Sequence, residues 1–181
     1  LAGGLSPERD VSLTSGAGIC KTLREKGHQA FLLDVFFGLP YDTDKLDEVF
    51  DLPGGGLEIA EGIKTTVPDL EALKKQRPDQ SDCLIGPNVL ELCKMADITF
   101  MGLHGSIGED GKLQAMFDVL DIHYTGPNAL SCTLSMNKLV SKQIFKMSGV
   151  PTPRGTSLTP KTKDTPLSEL GYSLPLVLKP C

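Results

Sequence analysis

No stretch of this sequence approaches the roughly 18 consecutive apolar residues that a membrane-crossing helix needs, and no charged-then-apolar signal-peptide pattern opens it. Those two absences speak against a membrane span and a secretory leader. Cysteine is sparse and badly placed for cross-linking. Cys20, Cys83, Cys93, Cys132 and Cys181 are odd in number, with no close pair. Zinc frameworks and disulfide scaffolds need tighter, even spacing, so the five read as free thiols of a reducing cytoplasm. An excess of positive charge is also missing. A net charge of −5 and a pI near 5.2 speak against nucleic acid as the main partner. There is no internal repeat and no low-complexity tract. There is also no initiator methionine, and both ends read as falling within an extended element, the pattern of a fragment.

What is present is ordinary globular composition. Over 181 residues, 40% are hydrophobic and 23% charged, and the mean hydropathy is −0.05. That length supports one domain or a domain and a half. The charge is uneven. Residues 1–137 hold 11 Lys/Arg against 21 Asp/Glu, whereas residues 138–181 hold 7 against 2. Such asymmetry arises on solvated helix faces, and it equally suits a last quarter that faces an anion such as a nucleotide triphosphate.

Along the chain, Leu1-Ala2 reads as the end of a strand that runs into a Gly3-Gly4 turn. Ser6 as N-cap and Pro7 at the first helical position then open a helix. Leu13, Ala17, Ile19, Cys20 and Leu23 recur at near-helical spacing, and Gly27 stops the helix. Gln29–Val35 reads as a strand, so the opening is strand–turn–helix–strand, the start of a parallel α/β sheet. Residues 36–80, broken by Pro40, Gly54-Gly55-Gly56, Pro68 and Pro78, predict a loop-rich excursion with short helices near 42–50 and 69–76. A helix then runs to about Met95, and Asp97–Leu103 is the clearest buried strand. A glycine-rich loop, a helix over 112–120 and a strand near 121–125 come next. Helical material over 129–148 and strands near 154–158 and over Leu174–Pro180 complete the chain.

Two segments place chemistry where open α/β folds bind ligands, at the C-terminal edge of a parallel sheet. Glu8 follows the glycine turn in the first helical turn. It serves there as a dipole-complementing carboxylate or as the partner of a substrate ammonium. His104 follows directly on Asp97–Leu103, inside His104-Gly105-Ser106-Ile107-Gly108-Glu109-Asp110-Gly111, whose glycines leave backbone free to approach a ligand. The other histidines, His28 and His123, have no such setting. Lys138, Lys142 and Lys146 recur every four residues, the usual mark of a solvated face. Lys179 sits within the apolar run Leu174–Pro180. A buried lysine there needs a partner, and a phosphate would serve.

Joined together, these segments resemble a known family. Gly3-Gly4-Leu5-Ser6-Pro7-Glu8-Arg9-Asp10-Val11-Ser12-Leu13 resembles the opening signature of D-alanine–D-alanine ligases. Leu103-His104-Gly105-Ser106-Ile107-Gly108-Glu109-Asp110-Gly111-Lys112-Leu113-Gln114 resembles their second. Tyr124-Thr125-Gly126, Leu134–Lys138, Gly149–Pro153 and Leu176–Pro180 match in the same order, and the resemblance spans almost the whole chain apart from the variable 36–80 stretch. Asp10 stands where glutamate is usual, a same-charge change.

The resemblance implies an α/β protein. A Rossmann-like parallel-sheet domain over about 1–135 is followed by the beginning of an ATP-grasp central domain over about 136–181. It implies ATP-dependent ligation of two D-alanines for peptidoglycan precursors, through an acyl phosphate, in a cytoplasmic homodimer. Glu8 and His104 are then the catalytic residues, and Glu8, Val11 and His104 line the first substrate's pocket. Lys138 and Lys179 contact ATP phosphates. The Mg2+ ligands, adenine contacts and transition-state arginine lie beyond Cys181 in this pattern. A D-alanine–D-serine or D-alanine–D-lactate ligase is the alternative within the family, and a catalytically dead ATP-grasp binding module is the alternative outside enzymes.

Overall fold

A computed structural model describes residues 1–179, the Ser106 side chain excepted. Six α-helices occur among them: α1 Arg9–Glu25, α2 Leu70–Gln76, α3 Val89–Met95, α4 Lys112–Val119, α5 Ala129–Met136 and α6 Lys138–Met147. Three 3-10 helices, Thr43–Asp51, Leu57–Ile59 and Ser106–Gly108, supplement them. The chain divides into two compact units, Leu1–Cys132 and Thr133–Cys181.

In the first unit, four extended segments bond side by side without forming a continuous strand among the described residues. Ala2 bridges Asp34 in parallel and Thr99 bridges Tyr124 in parallel. Ala2 N donates to Leu33 O and Val35 N to Ala2 O, both at 2.9 Å. The Leu1 amino group donates to Phe100 O (2.8 Å) and Gly102 N to Leu1 O (2.9 Å), the pattern of a parallel pair. Thr99 N donates to His123 O and Thr125 N to Thr99 O. The lateral order is therefore 33–35, 1–2, 99–102 and 123–125. The strands expected over Gln29–Val35, Asp97–Leu103 and 121–125 are thus reduced to single bridges. A ladder needs successive amides to meet the adjacent segment, and Leu32 N donates instead to Gly55 O of the 52–56 loop (2.8 Å).

Side chains alternate along these segments as extended backbone requires. Leu32 and Ala2 pack with Leu13 and Cys20 of α1. Leu33 and Val35 pack instead with Leu46, Val49, Val89, Leu92, Leu113, Phe117 and Ile122, from the Thr43–Asp51 helix, α3, α4 and the turn after it. Helices thus cover both sides of the bonded segments, an α/β arrangement. α1 lies very close: a Cβ on Gly16 would come within 2.8 Å of Ala2 Cβ and 2.9 Å of Leu32 Cδ1. The excursion over 36–80 carries helices at Thr43–Asp51 and Leu70–Gln76, near the expected places. Asp42 and Asp69 cap them by accepting from backbone amides two to three residues on.

The second unit is mostly irregular after α6. The helix expected over 129–148 is broken at Asn137, which caps α6 by accepting from Val140 N at 3.1 Å. A side chain that competes for backbone amides in this way ends one helix and starts the next. No strand forms over 154–158, where the chain is coil. Residues 174–179 are also coil, with Leu174, Val177 and Leu178 all at least 78% exposed. A strand requires a neighbour for its amides, and none pairs here among the described residues. Pro180 and Cys181, the end of that expected strand, lie outside the described residues.

Candidate active site

The site begins at the turn after Ala2. Gly3 and Gly4 have φ of +73° and +84°, values that glycine adopts without steric cost. Arg9 and Asp34 lock this turn. Asp34 Oδ1 accepts from Phe36 N (2.8 Å), Phe37 N (3.1 Å) and Gly4 N (3.4 Å), and Asp34 Oδ2 pairs with Arg9 Nη2. Arg9 Nη1 donates to Gly4 O at 3.0 Å, and its guanidinium lies 4.9 Å from the Phe37 ring centre. Both charges are buried. Each is matched by several donors or acceptors, the condition under which a buried pair is tolerated.

The expected helix start shifts slightly. Pro7 and Glu8 lie in a turn closed by Arg9 N donating to Ser6 O (3.1 Å), and α1 begins at Arg9 with Glu8 as the N-cap residue. Ser6 Oγ accepts from Glu8 N at 3.1 Å, fixing the backbone there. The Glu8 carboxylate makes no capping bond and is exposed, so it is free to meet a ligand. Val11 stands three residues on, on the same helical face as Glu8 and 37% exposed.

The second loop is tied to the first by Ser12. This fully buried hydroxyl accepts from Gly3 N (2.9 Å) and donates to Gly102 O (2.7 Å). Beyond it, Gly105 (φ +68°) packs so closely that a Cβ there would lie 2.6 Å from Ser6 Oγ and 3.2 Å from Glu8 Oε2. Gln114 Nε2 donates to Gly108 O (2.8 Å), and Asp110 accepts from Lys112 N and Nζ, fastening the loop to α4.

The result is a cluster. Ligating atoms of Glu8, His104 and Glu109 all lie within 4.8 Å of one another. The expected pair of site residues is therefore brought together, and Glu109 joins them. Glu109 was visible in the sequence only as part of an acidic pair after the glycines. No sequence spacing marks the Arg9–Asp34 pair; its one signal is an aspartate ending the apolar run Leu32-Leu33. His28 and His123 are exposed and remote from any such grouping.

Lys138 and Lys179 belong to the second unit. Lys138 is the first residue of α6, after the Asn137 cap, and it is exposed. Lys179 is also exposed. Contrary to the expectation of an apolar strand around it, Lys179 is not buried: its apolar neighbours are in solvent, so no burial demands a partner.

Residues 1–127 match the family model described as the D-ala D-ala ligase N-terminus. The chain is 40% identical over 182 residues to a D-alanine–D-alanine ligase of Lacticaseibacillus casei, covering 99% of this chain and 49% of that protein. It is 37% identical over 183 residues to one of Pediococcus pentosaceus, covering 99% and 50%. A solved Bacillus anthracis D-alanine–D-alanine ligase complexed with ATP is 38% identical, with a TM-score of 0.41 over 46% of this chain and 28% of that one. The chain belongs to the D-alanine–D-alanine ligase family, and it spans about half the length of the curated relatives it matches. No helix among the described residues is long and apolar enough to cross a membrane.

Proposed function

We propose that this chain is the amino-acid-binding front part of an ATP-dependent ligase that joins two D-alanines. The observation that carries the reading is the convergence of Glu8 and His104, from two separate signature loops, onto one spot beside Glu109. The relatives' names supply the reaction class. In this reading the Glu8 carboxylate holds the first D-alanine's ammonium in a charge-assisted hydrogen bond, Val11 lines the pocket, and His104 stands by the carboxylate that becomes phosphorylated. The second amine attacks the acyl phosphate, releasing phosphate. Lys138, at the N-terminus of a ten-residue helix, and Lys179 attract the ATP phosphates. The bonded segments over 1–2, 33–35, 99–102 and 123–125 supply the edge of a Rossmann-like parallel sheet, the domain over about 1–135, and residues from about 136 begin the ATP-grasp domain.

A Mg2+ ion accompanies ATP in this chemistry, yet the residues here do not suit it. Mg2+ prefers oxygen ligands, and the one carboxylate cluster among the described residues includes an imidazole. The Mg2+ ligands are assigned to the remainder of the protein. A cytoplasmic homodimer is part of the same proposal, supported by the free thiols of Cys20, Cys83, Cys93 and Cys132 for the compartment and by the family resemblance for the dimer. Ligation to D-serine or D-lactate stays the alternative within the family.

The test is D-alanine-dependent phosphate release from ATP by a protein carrying this sequence at its relatives' full length. Glu8→Gln is expected to lower kcat/KM for the first D-alanine by roughly tenfold or more, because a charge-assisted bond is lost. Its melting temperature should stay within a degree or two, since the carboxylate caps nothing. Unchanged kinetics would overturn the assignment. Phosphate release that requires D-serine as second substrate would move it to the alternative.

A further inference from the structure

We infer that Glu8, His104 and Glu109 form a binding site for a divalent transition-metal ion of the zinc and cobalt class. Two carboxylates and an imidazole offer one ligating atom each, all within 4.8 Å of one another. Around a single zinc ion such atoms sit about 2.0–2.2 Å from the metal and roughly 3–4 Å apart, so modest side-chain rotation closes the set. Charge favours it as well. Two carboxylates face each other, and no cationic side chain among the described residues is assigned to either. The nearby Arg9 is held by Asp34 and Gly4 O, and Lys112 by Asp110.

The donor types choose the metal. Calcium and magnesium take oxygen ligands, whereas an imidazole beside carboxylates suits zinc and cobalt. The scaffold is also partly set before any ion arrives. The Glu8 amide is pinned by Ser6 Oγ, and the two loops are joined through Ser12. His104 and Glu109 are half-buried while Glu8 is exposed, so the ion has an open approach and a free coordination position. Under the ligase reading, on which this last step rests, the same carboxylate receives the substrate ammonium. A metal ion bound here therefore excludes the first amino acid and acts as an inhibitor.

The experiment titrates the 181-residue chain with Co2+ alone and follows its visible d–d absorption, with Zn2+ added afterwards as competitor. One equivalent is expected to bind and to be displaced by Zn2+. His104→Ala and Glu109→Gln should each weaken binding by roughly tenfold or more, and Cys83→Ser should leave it unchanged. Far-UV circular dichroism of each variant checks the fold, and Glu109→Gln keeps the side chain's size. The inference is overturned by the lack of saturable binding, by unchanged affinity in both site variants, or by loss of binding in Cys83→Ser. These readouts use metal without D-alanine or ATP, so their outcome is independent of the ligation assay.

Discussion

The Ser12 hydroxyl donates to the Gly102 carbonyl oxygen across 2.7 Å while accepting from the Gly3 amide. One oxygen thus holds the glycine turn before Glu8 against the segment that leads to His104. Ser12→Ala leaves an amide and a carbonyl buried with no replacement donor or acceptor. It should cost about 1–3 kcal/mol of unfolding free energy in urea. A loss under about 0.5 kcal/mol, the scatter of surface changes, would show that the bridge contributes little.

The Arg9–Asp34 pair is the second prediction. Asp34→Leu strands a buried guanidinium, and Arg9→Met strands a buried carboxylate. Each single change should destabilise by about 3–5 kcal/mol, because an unpaired buried charge remains. The double variant should recover part of that loss, since neither charge is then left alone. Additive losses in denaturant midpoints would count against the pairing.

Glycine gives a contrast within one molecule. Gly105→Ala forces a Cβ into left-handed backbone and against Ser6 Oγ and Glu8 Oε2. It should lower stability by about 1–2 kcal/mol from backbone conformation alone, with further loss from the contact. Gly18 lies inside α1, exposed, with nothing within 4 Å of an added Cβ. Gly18→Ala should instead stabilise by about 0.4–1 kcal/mol. Thermal melts of the two variants should move in opposite directions.

The fourth prediction concerns alkaline pH. Desolvation, aided by the hydrogen bond it donates to Asp118 Oδ1 at 2.9 Å, raises the Tyr124 phenol to about 12 from its ordinary 10.0. Below pH 10 the phenol is protonated whether the chain is folded or not, and its contribution is intact. Between pH 10 and about 12 the unfolded chain releases the proton first, so stability falls as pH rises. Tyr124→Phe removes that slope. Chemical denaturation of both proteins at pH 9 and pH 11 should show a smaller drop in the variant; equal drops would disprove the linkage.

Much of the site was legible from residue type and position. Glu8 after a glycine turn and His104 after an apolar run are local signals, and the fold brings their ligating atoms within 4.8 Å of each other. The α1, α2, α3 and α4 helices were readable for the same reason, since apolar periodicity and turn-forming residues are encoded within a few positions, and α2 carries its Asp69 cap as well. What escaped was non-local. Whether Gln29–Val35 or Asp97–Leu103 becomes a continuous strand depends on the partners its amides meet in the folded chain, and Leu32 N, for one, bonds to Gly55 O of a distant loop. The Arg9–Asp34 pair joins residues 25 apart, and no spacing rule connects them. Lys179 misled because hydrophobic neighbours signal burial only when something packs on them.

The Ser12–Gly102 bond spans 90 positions of sequence, and this gives the molecule a timetable. While the chain is being synthesised, α1 is complete long before Gly102 exists, and until then the Ser12 hydroxyl has no carbonyl to reach. The pocket around Glu8 therefore cannot take shape co-translationally with its own helix; it waits for the His104 loop to arrive. Contacts of such long separation set the pace of folding, because loop-closure entropy is lost before the bond forms. The nascent chain holds a finished helix and an unfinished site until the His104 loop has been made.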